Sequence, residues 1–440
     1  LAHMNAFLKN NSGVLFFLVL LLATGCKDNL VVDNSDQNFP LTLASELGND
    51  KVTLRWEAAN VSNFEKYVVL RSRNPIPVGL RPVFSTGEQE IVLQSDDIKT
   101  TEFVDEALPI VEKLYYKLYI SIDDRFIESD AVVVNFDNLL VDGNGGVVKF
   151  VADSSWVILG DELTGTLSVL NYRTKDVLAR ESVQFTNADN MCMDIAVENG
   201  KQVLYWWAGY NNFYKYSLPD LTQLNYWPVP FSGFSILVND NLIYTTQYDY
   251  NQSFTPRRKT DMSVVKAHYR LDYYTHRTLA MLDKSTSRIV EASPYRILVY
   301  NVNPVTGDET NMVEKSTNTF NVFYREMPVA KNGQYFIAQY DGSIYDQGLN
   351  LIATIPFVNN GYSDVDFSPD GQFIYATYQD FTVGNGTLIQ KFTFPGMEVV
   401  ASRRFNNASP RSVDAVEGGV IFVGGSINGL NQVLVKRLDF

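Results

Sequence analysis

The chain has 440 residues, 45% of them hydrophobic and 20% charged, with a formal net charge of −14. That composition supports a sizeable globular core, and the acidic balance excludes nucleic acid and anionic membrane surfaces as expected partners. Aromatic residues reach 13%, with 25 Tyr and 27 Phe, and the preference of such rings for strands points to an all-β protein.

Leu1, Ala2 and His3 precede Met4, the expected start, and are set aside from fold reasoning. Lys9 then precedes an apolar run over residues 14–23. The run is too short to span a bilayer comfortably and ends in small residues, as a signal peptide does. It closes in Leu22-Ala23-Thr24-Gly25-Cys26, which resembles the lipobox of bacterial lipoproteins. The resemblance implies cleavage before Cys26 and acylation of that cysteine, and more than one acyl chain makes such an anchor durable. Lys27-Asp28-Asn29 resembles the surface-export signal of Bacteroidetes lipoproteins, which implies an outer-membrane address with the cell surface favoured over the periplasmic face. With Cys26 given to lipid, Cys192 has no partner in the chain, so neither a disulfide framework nor a cysteine zinc cluster is expected.

Residues 26–37 read as a polar, Asp/Asn-rich tether. Over residues 38–136, short alternating strands are separated by turn signals. Val52, Leu54 and Trp56 share one face; Tyr67-Val68-Val69-Leu70-Arg71 and Tyr115-Tyr116-Lys117-Leu118-Tyr119 follow. Together they resemble a fibronectin type III domain, which implies a β-sandwich serving as a spacer or docking surface.

From residue 139 to 440 a different unit recurs: an apolar strand, a tight polar turn, a second apolar strand. The turns are Glu198-Asn199-Gly200, Asn239-Asp240-Asn241, Lys331-Asn332-Gly333, Ser368-Pro369-Asp370-Gly371 and Glu417-Gly418-Gly419. Ser293-Pro294-Tyr295 before residues 296–301 reads as a looser copy, and residues 156–159 supply a seventh. Spacings near 35–55 residues fall in the range of β-propeller blades. Asp366-Phe367-Ser368-Pro369-Asp370-Gly371-Gln372 resembles the repeats of WD40-like and YVTN-type bacterial propellers, and seven copies imply seven blades. The last blade stops after its third strand, so a fourth is expected from residues 139–150, closing the ring.

In such a ring the loops between second and third strands, and those between blades, gather on one face. The second-to-third loops are expected at residues 160–165, 208–212, 248–263, 303–309, 379–386 and 424–431. The ligand-binding candidates on the expected loops are Tyr210, Asn211, Tyr248, Tyr250, Arg257, Arg258, Asn360, Tyr362, Asp380, Phe381 and Arg411. Tyr rings beside amides and carboxylates suit a polar ligand such as a glycan or peptide; equally, Asn, Asp and Gly are what turns require. Arg257-Arg258-Lys259 reads as a basic run within the longest loop, either meeting an anionic group or simply solvated. Trp206 and Trp207 are expected in the core, because both faces of a blade are covered.

Catalytic signatures are missing. His268 and His276 lack metal-ligand spacing, no Gly-x-Ser-x-Gly elbow occurs, and Cys192 has no adjacent base. Asp142-Gly143-Asn144-Gly145-Gly146 reads as a turn rather than a calcium loop. Asp161, Glu162, Asp189 and Asp380 are loop carboxylates that only folding can bring together. The expectation is therefore a non-enzymatic surface lipoprotein without cofactor or metal. Its propeller would bind a glycan, peptide or small cofactor, or a partner, beside a TonB-dependent uptake system or envelope complex. The alternatives are a protein–protein scaffold and a propeller carbohydrate-active enzyme, hydrolase or lyase.

Overall fold

The computed structural model describes residues 40–440 apart from 49–50, 83–87, 124, 144, 184–190, 210–211, 230–232, 248–253, 270–276, 294, 317–326, 339–341, 357–361, 381–385, 407 and 428–429. Its regular elements are strands throughout. The chain divides into two units, one of Leu1–Leu108 with Lys113–Asn135 and one of Pro109–Glu112 with Phe136–Phe440.

The first unit holds two antiparallel sheets. Ala44–Leu47, Val52–Arg55 and Glu102–Asp105 pair in that order. Gln89–Ser95, Phe64–Ser72, Lys113–Ile122 and Arg125–Glu128 form the second sheet, and Val132–Asn135 also pairs with Lys113–Ile122. Val52 and Leu54 are fully buried, and the Trp56 ring lies 5.6 Å from that of Tyr67. The two sheets are also tied by charge. Arg71 Nη1 donates to both oxygens of Asp105, at 3.0 and 2.7 Å, and the Tyr116 hydroxyl donates to Asp105 Oδ2 at 2.9 Å.

The described residues of the second unit form seven antiparallel sheets in chain order. The first comprises Val147–Phe150, Trp156–Asp161, Thr166–Asn171 and Asp176–Ser182; the second comprises Met191–Glu198, Lys201–Ala208, Asn212–Ser217 and Gln223–Pro228. Gly233–Val238, Leu242–Gln247 and Thr255–Arg258 make the third, where the bridges Arg257↔Val264 and Phe254↔His268 stand in for a fourth strand. The fourth holds Thr278–Asp283, Arg288–Ala292, Arg296–Val302 and Glu309–Ser316. In the fifth, Tyr335–Ile337, Ser343–Asp346 and Leu351–Thr354 follow a single bridge, Val329↔Phe336. Asp364–Phe367, Phe373–Asp380, Gly386–Thr393 and Val399–Phe405 form the sixth. The seventh joins Ser409–Val416, Gly419–Gly425 and Gln432–Asp439 to Leu139–Asp142, with Val433 opposite Val141.

Turn chemistry explains the recurring hairpins. Asn199 and Gly200 both have positive φ, 51° and 75°, and connect Glu198 to Lys201, as the favoured two-residue hairpin requires. The fourth sheet corrects the expected phase. Residues 296–302 are its third strand, not its second, and the first hairpin turn spans residues 284–287. There Ser285 and Thr286 bond the Asp283 carboxylate and Ser287 takes φ 50°. Residues 303–308 accordingly sit at the hairpin-turn end of the sheet, not among the second-to-third loops.

Seven apolar clusters fill the gaps between neighbouring sheets. Trp206 and Leu167 lie between the first and second, Trp207 and Ile236 between the second and third, and Tyr244 and Leu298 between the third and fourth. Phe336 and Val290, then Ile344 and Tyr378, then Ile389 and Phe422 continue the series. Val141, Val433 and Leu159 join the seventh sheet to the first, so the series returns to its start and the ring is closed. Trp206 and Trp207 are both fully buried, on opposite faces of one strand. Their size fixes neighbours: a Cβ on Gly233 would come 2.1 Å from the Trp207 ring, so only glycine fits.

Candidate functional site

A cleft of about 300 Å³ opens at the seam where the seventh sheet meets the first. Its apolar floor is Val141, Leu159 and Val433, the end of the cluster that closes the ring. Toward the loops this floor gives way to Thr164, Thr166 and Ser168. Residues two apart on a strand share a face, so Thr166 and Ser168 both turn into the cleft. Their cross-strand partners are Ser182 and Arg180. Thr164 Oγ1 donates to Thr166 Oγ1 at 2.9 Å, and Thr166 and Ser182 hydroxyls meet at 3.1 Å.

Charge frames the opening. Asp161 is buried, and its Oδ1 accepts the N–H groups of Leu163 at 2.8 Å and Thr164 at 3.3 Å, shaping the loop that follows. Exposed Asp142 ends the closing strand and accepts from Gln432 Nε2 at 3.2 Å, while Gly143 N–H donates to Asn431 O at 3.0 Å. The Arg180 side chain is exposed and makes no hydrogen bond or ion pair with a described residue. The cleft thus presents a guanidinium, two carboxylates and a row of hydroxyls above an apolar floor. Among the described residues no three His, Cys, Asp or Glu side chains gather as a metal site would need.

None of the five described ligand-binding candidates lines this cleft. Tyr210, Asn211, Tyr248, Tyr250, Asn360 and Phe381 lie outside the described residues, as do Cys26, Asp189 and His276. Tyr362, expected on a loop, is 4% exposed; its hydroxyl donates to Ile355 O at 2.6 Å and its ring packs edge-on against Tyr378. Arg257, expected near a loop tip, is a strand residue, buried, donating to Met262 O at 3.0 Å, and burial lowers its pKa to about 10. Arg258 is the exposed last residue of that strand. Lys259, the third cation of the run, is ion-paired to Glu198 at 2.6 Å. Against the cost of burial, hydrogen bonds from Lys215, Lys259 and Tyr205 hold the Glu198 carboxyl down to about 2. Asp380 is buried at the end of its strand, paired with Arg404 Nε at 2.7 Å. Arg411 sits at a bulge of the seventh sheet's first strand and lies over Gly425, where a Cβ would come 2.6 Å from its Nε.

The innermost strands carry a second polar feature that the sequence reading missed. Asp194 Oδ2 accepts the Val238 N–H at 2.7 Å, and Lys149 Nζ lies 3.3 Å from Asp194 Oδ1. Asp364 Oδ2 accepts from Ser412 Oγ at 2.6 Å and Val413 N–H at 2.9 Å, and Asp366 Oδ2 from Ala415 N–H at 2.8 Å. Each aspartate staples one first strand to the next. Burial, then the neighbouring Asp414 carboxylate, push Asp366 well above the usual carboxylate range.

No family model and no curated protein matches this sequence. Solved structures do match. The β-propeller domain of Myceliophteria thermophila Cps50 (Swd1) is 10% identical at a TM-score of 0.52, covering 68% of this chain and 99% of that one. The WD40 β-propeller domain of Doa1 is 14% identical at a TM-score of 0.48, covering 67% and 94%. Identities this low speak for architecture only. The likeness to the Cps50 domain, together with the seven sheets and their closure, shows that the second unit of this chain is a β-propeller.

Proposed function

We propose that this chain is a non-enzymatic, lipid-anchored binding protein of the bacterial outer membrane, whose propeller holds a ligand or partner for a TonB-dependent uptake or envelope complex. The observation that carries the binding reading is the seam cleft. Asp161, Thr164 and Asn431 bring to it two of the second-to-third loops where a ligand is expected, and a few polar groups converge above an apolar floor, as in small-molecule sites. The export reading rests on the apolar run before Leu22-Ala23-Thr24-Gly25-Cys26. We read the first unit as fibronectin type III-like; its three-stranded sheet facing a sheet with a branched far edge supports this, as does Arg71 at the end of the Tyr-x-Val-x-Arg strand. A scaffold role is the second reading, favoured by apolar side chains exposed on outermost strands: Leu224, Tyr226, Leu351, Ile352, Val399 and Val400.

Expression of the full chain in a bacterial host with an alkynyl fatty acid tests the address. Label is expected on the wild-type chain in the outer-membrane fraction and lost in Cys26→Ala; an unlabelled wild-type chain in the soluble fraction contradicts it. Detergent extraction followed by mass spectrometry of what co-purifies then separates the readings. A small molecule or a transporter channel supports uptake, and an envelope assembly with no small molecule supports the scaffold.

A further inference from the structure

In every sheet of the ring the third residue of the third strand faces the preceding sheet. From the second sheet to the seventh it is Tyr214, Arg257, Leu298, Tyr345, Leu388 and Leu434. Tyr214, Leu298, Tyr345, Leu388 and Leu434 pack into the clusters between their own sheet and the one before. Arg257 stands opposite Ile243, a member of the cluster between the second and third sheets. In the first sheet the residue is Ser168, opposite Leu159, and the cleft opens beside it. Six large side chains and one serine make the vacancy a matter of sequence. Elsewhere the ring fills this gap from within; at the seam it does not.

What would fill it follows from the walls. Val141, Leu159 and Val433 offer apolar surface of the kind that receives the other six side chains. Arg180, without a partner among the described residues, faces the opening with Asp142 at the closing strand. The described lining includes no aromatic ring, so a sugar finds no stacking platform. We propose that the seam cleft binds a free amino acid or short peptide, seating a large apolar side chain in the gap beside Ser168. The ligand's carboxylate lies on the Arg180 guanidinium, which suits two-pronged pairing, and its ammonium lies toward Asp142. This rests on the binding reading above and names the ligand class for it.

Calorimetric titration of the purified chain with leucyl-leucine, N-acetyl-leucyl-leucinamide, glycyl-glycine and maltose tests the assignment. Leucyl-leucine is expected to bind. The capped and glycine peptides should bind at least about tenfold more weakly, and maltose not at all up to about 5 mM. Ser168→Leu supplies the residue that three other sheets carry, so it should fold normally while weakening leucyl-leucine by about tenfold or more. Arg180→Gln, a change at an exposed position, should weaken the free peptide similarly and leave the capped one unaffected. Absence of leucyl-leucine binding overturns the proposal, as does binding that both variants leave unchanged. Maltose binding that is lost in Ser168→Leu also overturns the peptide assignment while leaving a binding protein, which the co-purification experiment decides separately.

Discussion

Buried charges order each unit from within, and removing one partner exposes what the pair was doing. Among the described residues Arg71 is the cation paired with Asp105, which is 3% exposed. Arg71→Ala leaves a carboxylate in the first unit's core and is expected to cost about 3–5 kcal/mol, the usual result of orphaning a buried charge, measured by urea unfolding. Asp366, one of the stapled aspartates of the ring, predicts a pH dependence of opposite sign to the usual carboxylate. Asp366 has a raised pKa in the folded chain, so the native state binds more protons there than the unfolded one. Stability is therefore greatest below its unfolded value of 3.8 and falls as pH rises through the raised folded pKa. Asp414→Asn removes the like-charged neighbour and should flatten that decline; an unchanged slope in unfolding free energy against pH would sink this explanation.

Strand-level reading succeeded where turns carry a local signal and failed where they do not. Asn199-Gly200 and Gly371 announce their hairpins because positive φ there favours Asn or Gly. The first hairpin of the fourth sheet uses Lys284-Ser285-Thr286-Ser287, bonded to Asp283, with no glycine, proline or asparagine to mark it. Ser293-Pro294-Tyr295 carries the stronger turn signal, so the sequence points one strand out of phase there. Thr255–Arg258 was hidden for another reason: Pro256 and two arginines do not look like a strand, yet Pro256 pairs with Tyr244 and its carbonyl accepts the Val265 N–H. The seam was partly legible, because a last blade short of one strand demands a partner from residues 139–150. Arg180 and Ser168 were not, since their meaning appears only when the seven third strands are laid side by side. The closing strand itself is testable. Val141→Asp places a carboxylate in the cluster that closes the ring and should cost about 3 kcal/mol or more. Leu163→Asp, at a side chain 66% exposed, should change stability by about 0.5 kcal/mol or less.

Across the whole ring, closure is what brings residues from the two ends of the second unit into one cleft. Asp142 and Gln432, 290 positions apart, meet only because Leu139–Asp142 pairs with Gln432–Asp439. The strand that completes the ring directly follows the first unit along the chain, so ligand occupancy at the seam and retention of the closing strand are expected to be linked. The most direct measurement is disulfide trapping of the pair Leu140↔Leu434. Directly opposed antiparallel residues stand about 4.5–5.5 Å apart at Cα, within disulfide range. Leu140→Cys with Leu434→Cys should oxidise to an intrachain bond, identified by peptide mass mapping, and raise the unfolding midpoint of the ring. A folded protein whose two introduced thiols stay reduced under oxidant, or bond only between chains, would contradict a ring closed by these strands.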